Sequence, residues 1–87
     1  MAKFLLELYL ARSDGRAILD GAERAAVGAE HLRLDGASVR FLRSISVLED
    51  ETCFLVYEAE SVEEVCRAAT LAGLPVDHIV EAIETEA

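Results

Sequence analysis

The side chains best able to do chemistry in this 87-residue chain are charged and aromatic residues that interrupt apolar segments. They are Glu7, Tyr9, Arg40, Arg43, Tyr57 and Glu58. Polar groups that converge in an apolar cleft are typical of a small-ligand site. Ion pairs at a subunit interface, such as Glu58 with Arg43 or Glu7 with Arg40, are the alternative, because buried charges require partners. The predicted ligand-binding residues are Glu7, Tyr9, Arg43, Tyr57 and Glu58.

A histidine near the C-terminus is the candidate metal ligand. His78 follows Asp77 directly. Asp77, Glu81 or a second His78 across a dimer axis would complete a site, because imidazole and carboxylate groups both bind divalent metals. A solvated histidine at the start of a strand is the alternative, since one histidine does not make a site. The predicted metal ligands are His78 and Asp77.

Most catalytic signatures are missing from the sequence. The five glycines are scattered rather than grouped in a phosphate-binding loop. There is no Cys-x-x-Cys and no pair of histidines at metal-binding spacing. Cys53 and Cys66 are expected to be reduced thiols on buried surfaces. No catalytic residue is predicted, and the pattern favours a binding module over an enzyme.

Composition limits the classes of partner. The chain carries 17 acidic and 8 basic residues, for a net charge of −9. Such a surface repels phosphate backbones and anionic lipids, so neither nucleic acid nor membrane is an expected partner. No segment has the length of a membrane span or the form of a secretion signal. We therefore expect a cytoplasmic protein.

Apolar periodicity predicts six elements in a single domain over residues 1–87, with residues 84–87 as a frayed tail. The strands are expected at about 3–10, 38–48, 52–59 and 77–83, and the helices at about 17–31 and 62–72. Alternating apolar residues indicate strands, and a spacing of three or four indicates helices. This order predicts an α+β, ferredoxin-like βαββαβ two-layer sandwich, with a four-stranded antiparallel sheet and two helices on one face.

Finer patterns within these elements predict which residues are buried. The first helix should bury Ile18, Ala22, Ala25, Ala26 and Ala29. The second strand should place Val39, Phe41, Arg43, Ile45 and Val47 on one face. Ser61 and Glu64 have the spacing of a capping box at the start of the second helix. Gly73 and Pro75 mark its end.

The hydrophobic content is high for so small a domain. Hydrophobic residues make up 53% of the chain. Two helices cover only one face of a four-stranded sheet, and the second and third strands carry apolar residues on both sides. A large apolar patch is rarely left exposed on a monomer. We therefore predict a homodimer, or a higher symmetric assembly, that closes through the sheet faces.

One stretch resembles a known family. It comprises Cys53-Phe54-Leu55-Val56-Tyr57-Glu58-Ala59, Val65 to Ala72, and Gly73-Leu74-Pro75. These segments are similar to a family of small bacterial domains of unknown function that are common in actinobacteria. The resemblance implies a ferredoxin-like dimer and, as in part of that family, nickel binding. Where the nickel-binding type has histidines, this sequence has Leu74 and Val80, with His78 nearby.

The function expected from the sequence is a small dimeric binding module. Its ligand would be a divalent metal such as nickel, or a small molecule, at the cleft between the sheet and its partner. The alternatives are a small enzyme of the dimeric α+β barrel type, by analogy of fold alone, and a purely structural assembly domain.

Overall fold

A computed structural model describes residues 1–86 of the chain. The elements are β1 (Ala2–Tyr9), α1 (Gly15–Leu34), β2 (Val39–Val47), a 3₁₀ turn (Leu48–Asp50), β3 (Thr52–Ala59), α2 (Val62–Leu71) and β4 (Ile79–Ala82). The strands form one antiparallel sheet in the order β2-β3-β1-β4. The predicted ferredoxin-like βαββαβ sandwich is confirmed. Ala87 of the predicted tail lies outside the described residues.

The core lies between the helices and one face of the sheet. Its strand side chains are Phe4, Leu6, Leu8, Cys53, Leu55 and Tyr57. They come from alternate positions of β1 and β3, and the register pairs them across the two strands. Alternation places every second side chain of a strand on the same face. The two central strands therefore define a helix-covered face and an open face.

A bulge in β2 changes which of its residues face the core. Phe41 pairs with Tyr57, but Arg43, not Leu42, pairs with Val56. The extra residue shifts the alternation by one, so Arg43 and the residues after it reverse faces. The prediction that the apolar residues of β2 share one face was therefore wrong. Val39 and Phe41 belong to the helix-covered face, whereas Arg43, Ile45 and Val47 lie on the open face.

The first helix is longer than predicted and packs through smaller residues. Asp14 caps it, because its Oδ1 accepts a hydrogen bond from the N–H of Ala17 at 2.9 Å. The buried residues are Gly21, Ala25, Gly28, Ala29 and Leu32, while Ala26 is exposed and was wrongly placed in the stripe. A Cβ on Gly28 would lie 2.7 Å from the carbonyl oxygen of Ala68. Glycine at this position is what lets α1 approach α2 so closely.

The sequence predicted the C-terminal end of α2 correctly but not its N-terminal cap. Ser61 makes no capping hydrogen bond through its side chain. Glu64 Oε2 instead accepts the N–H of Ser38 at 2.8 Å, so the predicted capping box was wrong and this carboxylate ties α2 to the start of β2. The C-terminal end follows the prediction. Gly73 has φ of +75°, and the N–H of Leu74 donates to the Ala69 carbonyl at 2.9 Å.

Candidate functional site

The open face is the side of the sheet that neither helix covers. From the pairing register its residues are Lys3, Leu5, Glu7, Tyr9, Arg40, Arg43, Ile45, Val47, Thr52, Phe54, Val56, Glu58, Val80 and Ala82. Apolar side chains and Arg43 occupy its middle, and the other charged groups lie toward its ends. Of the residues predicted to bind a ligand, Glu7, Tyr9, Arg43 and Glu58 are on this face.

One corner of the open face brings together three residues that the sequence singled out. Tyr9 Oη donates a hydrogen bond to Glu7 Oε2. The Tyr9 ring stands edge-on to the His78 imidazole, with 6.4 Å between their centroids. The backbone N–H of Glu7 donates to the His78 carbonyl at 2.9 Å. Glu7, Tyr9 and His78 therefore form one cluster, here called the Glu7–His78 corner.

Glu7 controls the electrostatics of this corner. The pKa of Tyr9 is raised above its ordinary value, first by the hydrogen bond to Glu7 and then by the negative charge of that carboxylate. An anionic acceptor favours the protonated phenol, because ionisation would place two negative charges side by side. The corner thus offers a carboxylate, an imidazole and a neutral phenol on one exposed surface.

The donor set at this corner is incomplete for a metal held by a single chain. Within residues 1–86, no group of three or more His, Cys, Asp or Glu side chains is arranged to hold a metal ion. Asp77 is exposed, and no hydrogen bond or ion pair of its side chain is seen in the described part of the chain. Glu81 pairs with Phe4 and so lies on the other face of the sheet. Glu7 and His78 are the donors that contacts with Tyr9 bring to this corner, and the predicted ligand Asp77 directly precedes His78.

The opposite end of the open face carries a chain of ion pairs. Lys3 Nζ lies 3.5 Å from Glu58 Oε2 and 4.0 Å from Glu84 Oε1. Arg43 Nη1 donates to the other oxygen of Glu84 at 2.9 Å. Within the described chain Glu58 pairs with Lys3 and Glu7 accepts from Tyr9, so the ion pairs with Arg43 and Arg40 that were the alternative to a ligand site are not seen there. Glu84 was not among the predicted site residues, since nothing in the local pattern of the last residues distinguishes it from a solvated glutamate.

Tyr57 does not belong to the open face, which corrects its predicted placement in a sheet-face cleft. It lies on the helix-covered face, is fully buried, and stands edge-on to Phe41 with 5.6 Å between ring centroids. Its hydroxyl has no hydrogen-bond partner within the described structure. Burial raises the pKa of Tyr57, because the phenolate would be desolvated in the core. The residue is part of the packing between sheet and helices.

A shallow groove of about 390 Å³ lies elsewhere, between α1 and α2. Val27 and Leu71 form its apolar walls, and Arg24 and His31 lie at its rim. The Arg24 guanidinium is already engaged: it donates to the carbonyls of Ala72 and Gly73, both at 3.0 Å. Arg24 therefore holds the end of α2 in place and is not free for a ligand, so the open face is the stronger candidate site.

The two cysteines are free thiols that differ in burial. Cys53 is buried in the core and Cys66 is partly buried on α2, and neither forms a disulfide.

Among the helices of residues 1–86, none combines the length and apolar character needed to cross a bilayer.

Comparison with known proteins gives two matches. The family model for SCO4226-like proteins, described as nickel responsive, matches residues 9–82. Among solved structures, the chain is similar to the crystal structure of SCO4226 from Streptomyces coelicolor A3(2), with a TM-score of 0.72 and 22% sequence identity. The match covers 98% of this chain and 100% of that one, and at this identity it shows the fold alone. None of the curated proteins matches the chain.

Proposed function

Because the chain belongs to the SCO4226-like family of nickel responsive proteins, we propose that it is a non-enzymatic binding module for Ni²⁺ or a similar divalent metal. The observation that carries this proposal is the Glu7–His78 corner, where a carboxylate and an imidazole both contact Tyr9. Imidazole is a good ligand for nickel, and carboxylate oxygen completes many divalent sites. The metal would be held by Glu7 and His78, with water or a second copy of the chain supplying the other ligands.

Tyr9 would act as a positioning residue at this site. A ligating carboxylate is commonly fixed by a hydrogen bond from a neighbouring group, which sets its direction toward the metal. Tyr9 Oη already donates to one oxygen of Glu7, which leaves the other oxygen available. Its ring also packs against the His78 imidazole and limits the orientations of that side chain.

Calorimetric titration of the tag-free protein with NiCl₂ tests this assignment. The His78→Ala variant is expected to lose affinity by at least about tenfold, since even outer-shell partners contribute that much at metal sites. His31→Ala is the matched control, because His31 is the other histidine of the chain and is exposed on α1. Binding no tighter than high micromolar by the wild type, or loss of binding in His31→Ala instead, would refute the proposal.

A homodimer packed through the open face is the second part of the proposal. Val56 and its neighbours Leu5 and Phe54 make the middle of this face apolar, and a patch of this kind commonly marks an interface. A second copy is favoured as the occupant because the strands of this face carry charges of both signs, unlike the strongly acidic chain as a whole. The basic strand residues are Lys3, Arg40 and Arg43, and the acidic ones are Glu7 and Glu58. Two copies with a net charge of −9 each can therefore meet here without like-charge repulsion at the contact.

Two exposed valines provide a matched test of the dimer. Val80 is 59% exposed on the open face, and Val27 is 58% exposed on the outer side of α1. Light scattering coupled to size exclusion should give a dimer mass for the wild type and for Val27→Lys, and a weaker dimer for Val80→Lys. A buried lysine at the interface would be an unpaired charge. A monomer mass for the wild type from low to high micromolar concentration would refute the dimer.

A further inference from the structure

The C-terminal segment after β4 is exposed to solvent, but one of its side chains is tied to the open face. The strand ends at Ala82, and residues 83–86 have no regular secondary structure. The contacts seen for this segment in the described chain come from the Glu84 carboxylate, which pairs with Arg43 at 2.9 Å and with Lys3 at 4.0 Å. One side chain thus ties the segment to the sheet.

The position of the two cations shows how far Glu84 reaches. Lys3 is on β1 and Arg43 is on β2, and β3 runs between these strands. Val56 of β3 pairs with Arg43 on one side and with Leu5 on the other. A single carboxylate that contacts both cations therefore links β1 to β2, the two strands on either side of β3.

The burial of Val56 supports this covering independently. Val56 is only 5% exposed, although no helix or strand lies on its side of the sheet. Ile45, on the same face, is 50% exposed. The difference follows if the Arg43–Glu84 pair and its neighbours shield Val56 from water, since long charged side chains can cover apolar surface with their stems.

We propose that residues 83–86 form a strap that competes with a second copy of the chain for the open face. This inference rests on the proposed face-to-face dimer. In the isolated chain Glu84 holds the strap across β3, and a partner sheet can pack on Val56 only after Glu84 leaves Arg43 and Lys3. Because Glu84 and Arg43 are each 50% exposed and Lys3 is 29% exposed, water screens both ion pairs, and the strap is weak enough to be displaced by an apolar interface.

Two measurements on the 87-residue chain test the strap. Glu84→Ala removes both ion pairs that tie the strap to the sheet. Glu86→Ala is the matched control, since no ion pair of Glu86 is seen within the described residues. In dilute, monomeric protein, backbone NMR order parameters of residues 83–86 should be high in the wild type and Glu86→Ala and fall in Glu84→Ala. The dimer dissociation constant should fall by about two- to fivefold in Glu84→Ala, as expected for the loss of a competing exposed ion pair.

The outcomes separate the strap from the dimer. Low order parameters for residues 83–86 in the wild type, together with a measurable dimer, would overturn the strap and leave the dimer standing. A weaker dimer in Glu84→Ala would also overturn it, because Glu84 would then be holding the partner. An ordered segment with no dimer in any of the three proteins would refute the proposed dimer, and with it any competition for the face.

Discussion

The two faces of the sheet are built from the same strands but are stabilised in different ways. On the helix-covered face, β1 and β3 contribute Phe4, Leu6, Leu8, Cys53, Leu55 and Tyr57, all of them buried. On the open face the same strands alternate apolar residues with charged ones, and the charges pair with one another or with the C-terminal segment. The covered face thus depends on volume and exclusion of water. The open face depends on pairing between polar groups that remain accessible to solvent.

Truncating one leucine on each face is expected to give the largest difference. Leu55 is fully buried under the helices, so Leu55→Ala should lower the free energy of unfolding by about 2–5 kcal/mol. Leu5 is a partly buried leucine on the open face, and Leu5→Ala should cost about half as much or less in the monomer. Urea unfolding at low protein concentration measures both.

The protein concentration sharpens this first comparison. If the open face is buried in a dimer, the cost of Leu5→Ala should rise as the protein is concentrated, because dimerisation stabilises the folded state by mass action. The cost of Leu55→Ala should change much less. Equal costs for the two leucines in dilute protein would contradict the distinction between the faces. Leu55→Val is a milder substitute if Leu55→Ala fails to fold.

A medium effect is expected from the tyrosine of the covered face. The hydroxyl of Tyr57 is buried without a partner, so Tyr57→Phe should stabilise the fold by about 1 kcal/mol at neutral pH. Burial raises the pKa of Tyr57, so both states are protonated below pH 10 and this group adds no pH dependence there. Above pH 10 only the unfolded state ionises. Stability should then fall by up to about 1.4 kcal/mol per pH unit.

The same variant tests the origin of that alkaline slope. The urea midpoint of Tyr57→Phe should be higher than that of the wild type at pH 8. The difference between the two midpoints should widen up to pH 11, because the variant loses less stability as the pH rises. A Tyr57→Phe protein that is less stable than the wild type at neutral pH would show that the hydroxyl has a partner, and the view of the covered face as purely apolar would be wrong.

The fold could be predicted from the sequence because each element carries its own periodicity and end signals. Asp14 lies where an N-cap belongs, and Gly73 with Pro75 stops α2 as expected. These are local rules, since a cap or a turn depends on residues within one turn of chain. The order of the elements then leaves few topologies, which is why the ferredoxin-like sandwich followed.

The faces of the sheet were less predictable because they depend on register. One extra residue near Leu42 moves Arg43, Ile45 and Val47 to the opposite face of the sheet. No residue type in β2 predicts this bulge. Tyr57 has a phenol that suits a site, yet its parity on β3 places it in the core. These features depend on pairing between segments that are distant in the chain.

The candidate site shows the same division between local and distant information. Glu7 and His78 were each singled out from the sequence, but their proximity depends on the β1–β4 pairing. Glu64 has the spacing of a capping box and instead binds Ser38, some 26 positions away along the chain. Glu84 was predicted to be part of a frayed tail and bridges two strands. Polar groups choose partners in three dimensions, and the sequence supplies only the candidates.

The smallest expected effect concerns the tyrosine of the open face, whose pKa is raised by a neighbour and not by burial. In the Tyr57→Phe background Tyr9 is the remaining tyrosine of the two in the chain, so absorbance near 295 nm follows it alone. Glu7→Gln removes the charge that opposes ionisation, and the pKa of Tyr9 should fall toward its ordinary value of about 10. Glu58→Gln is the control, because Glu58 pairs with Lys3 at the other end of the face. Ni²⁺ bound at Glu7 should lower the pKa of Tyr9 in the same direction, since the metal neutralises that carboxylate. An unchanged titration in Glu7→Gln would mean that the Tyr9–Glu7 hydrogen bond is not populated in solution. The open face would then lack a polar contact that distinguishes it from the covered face.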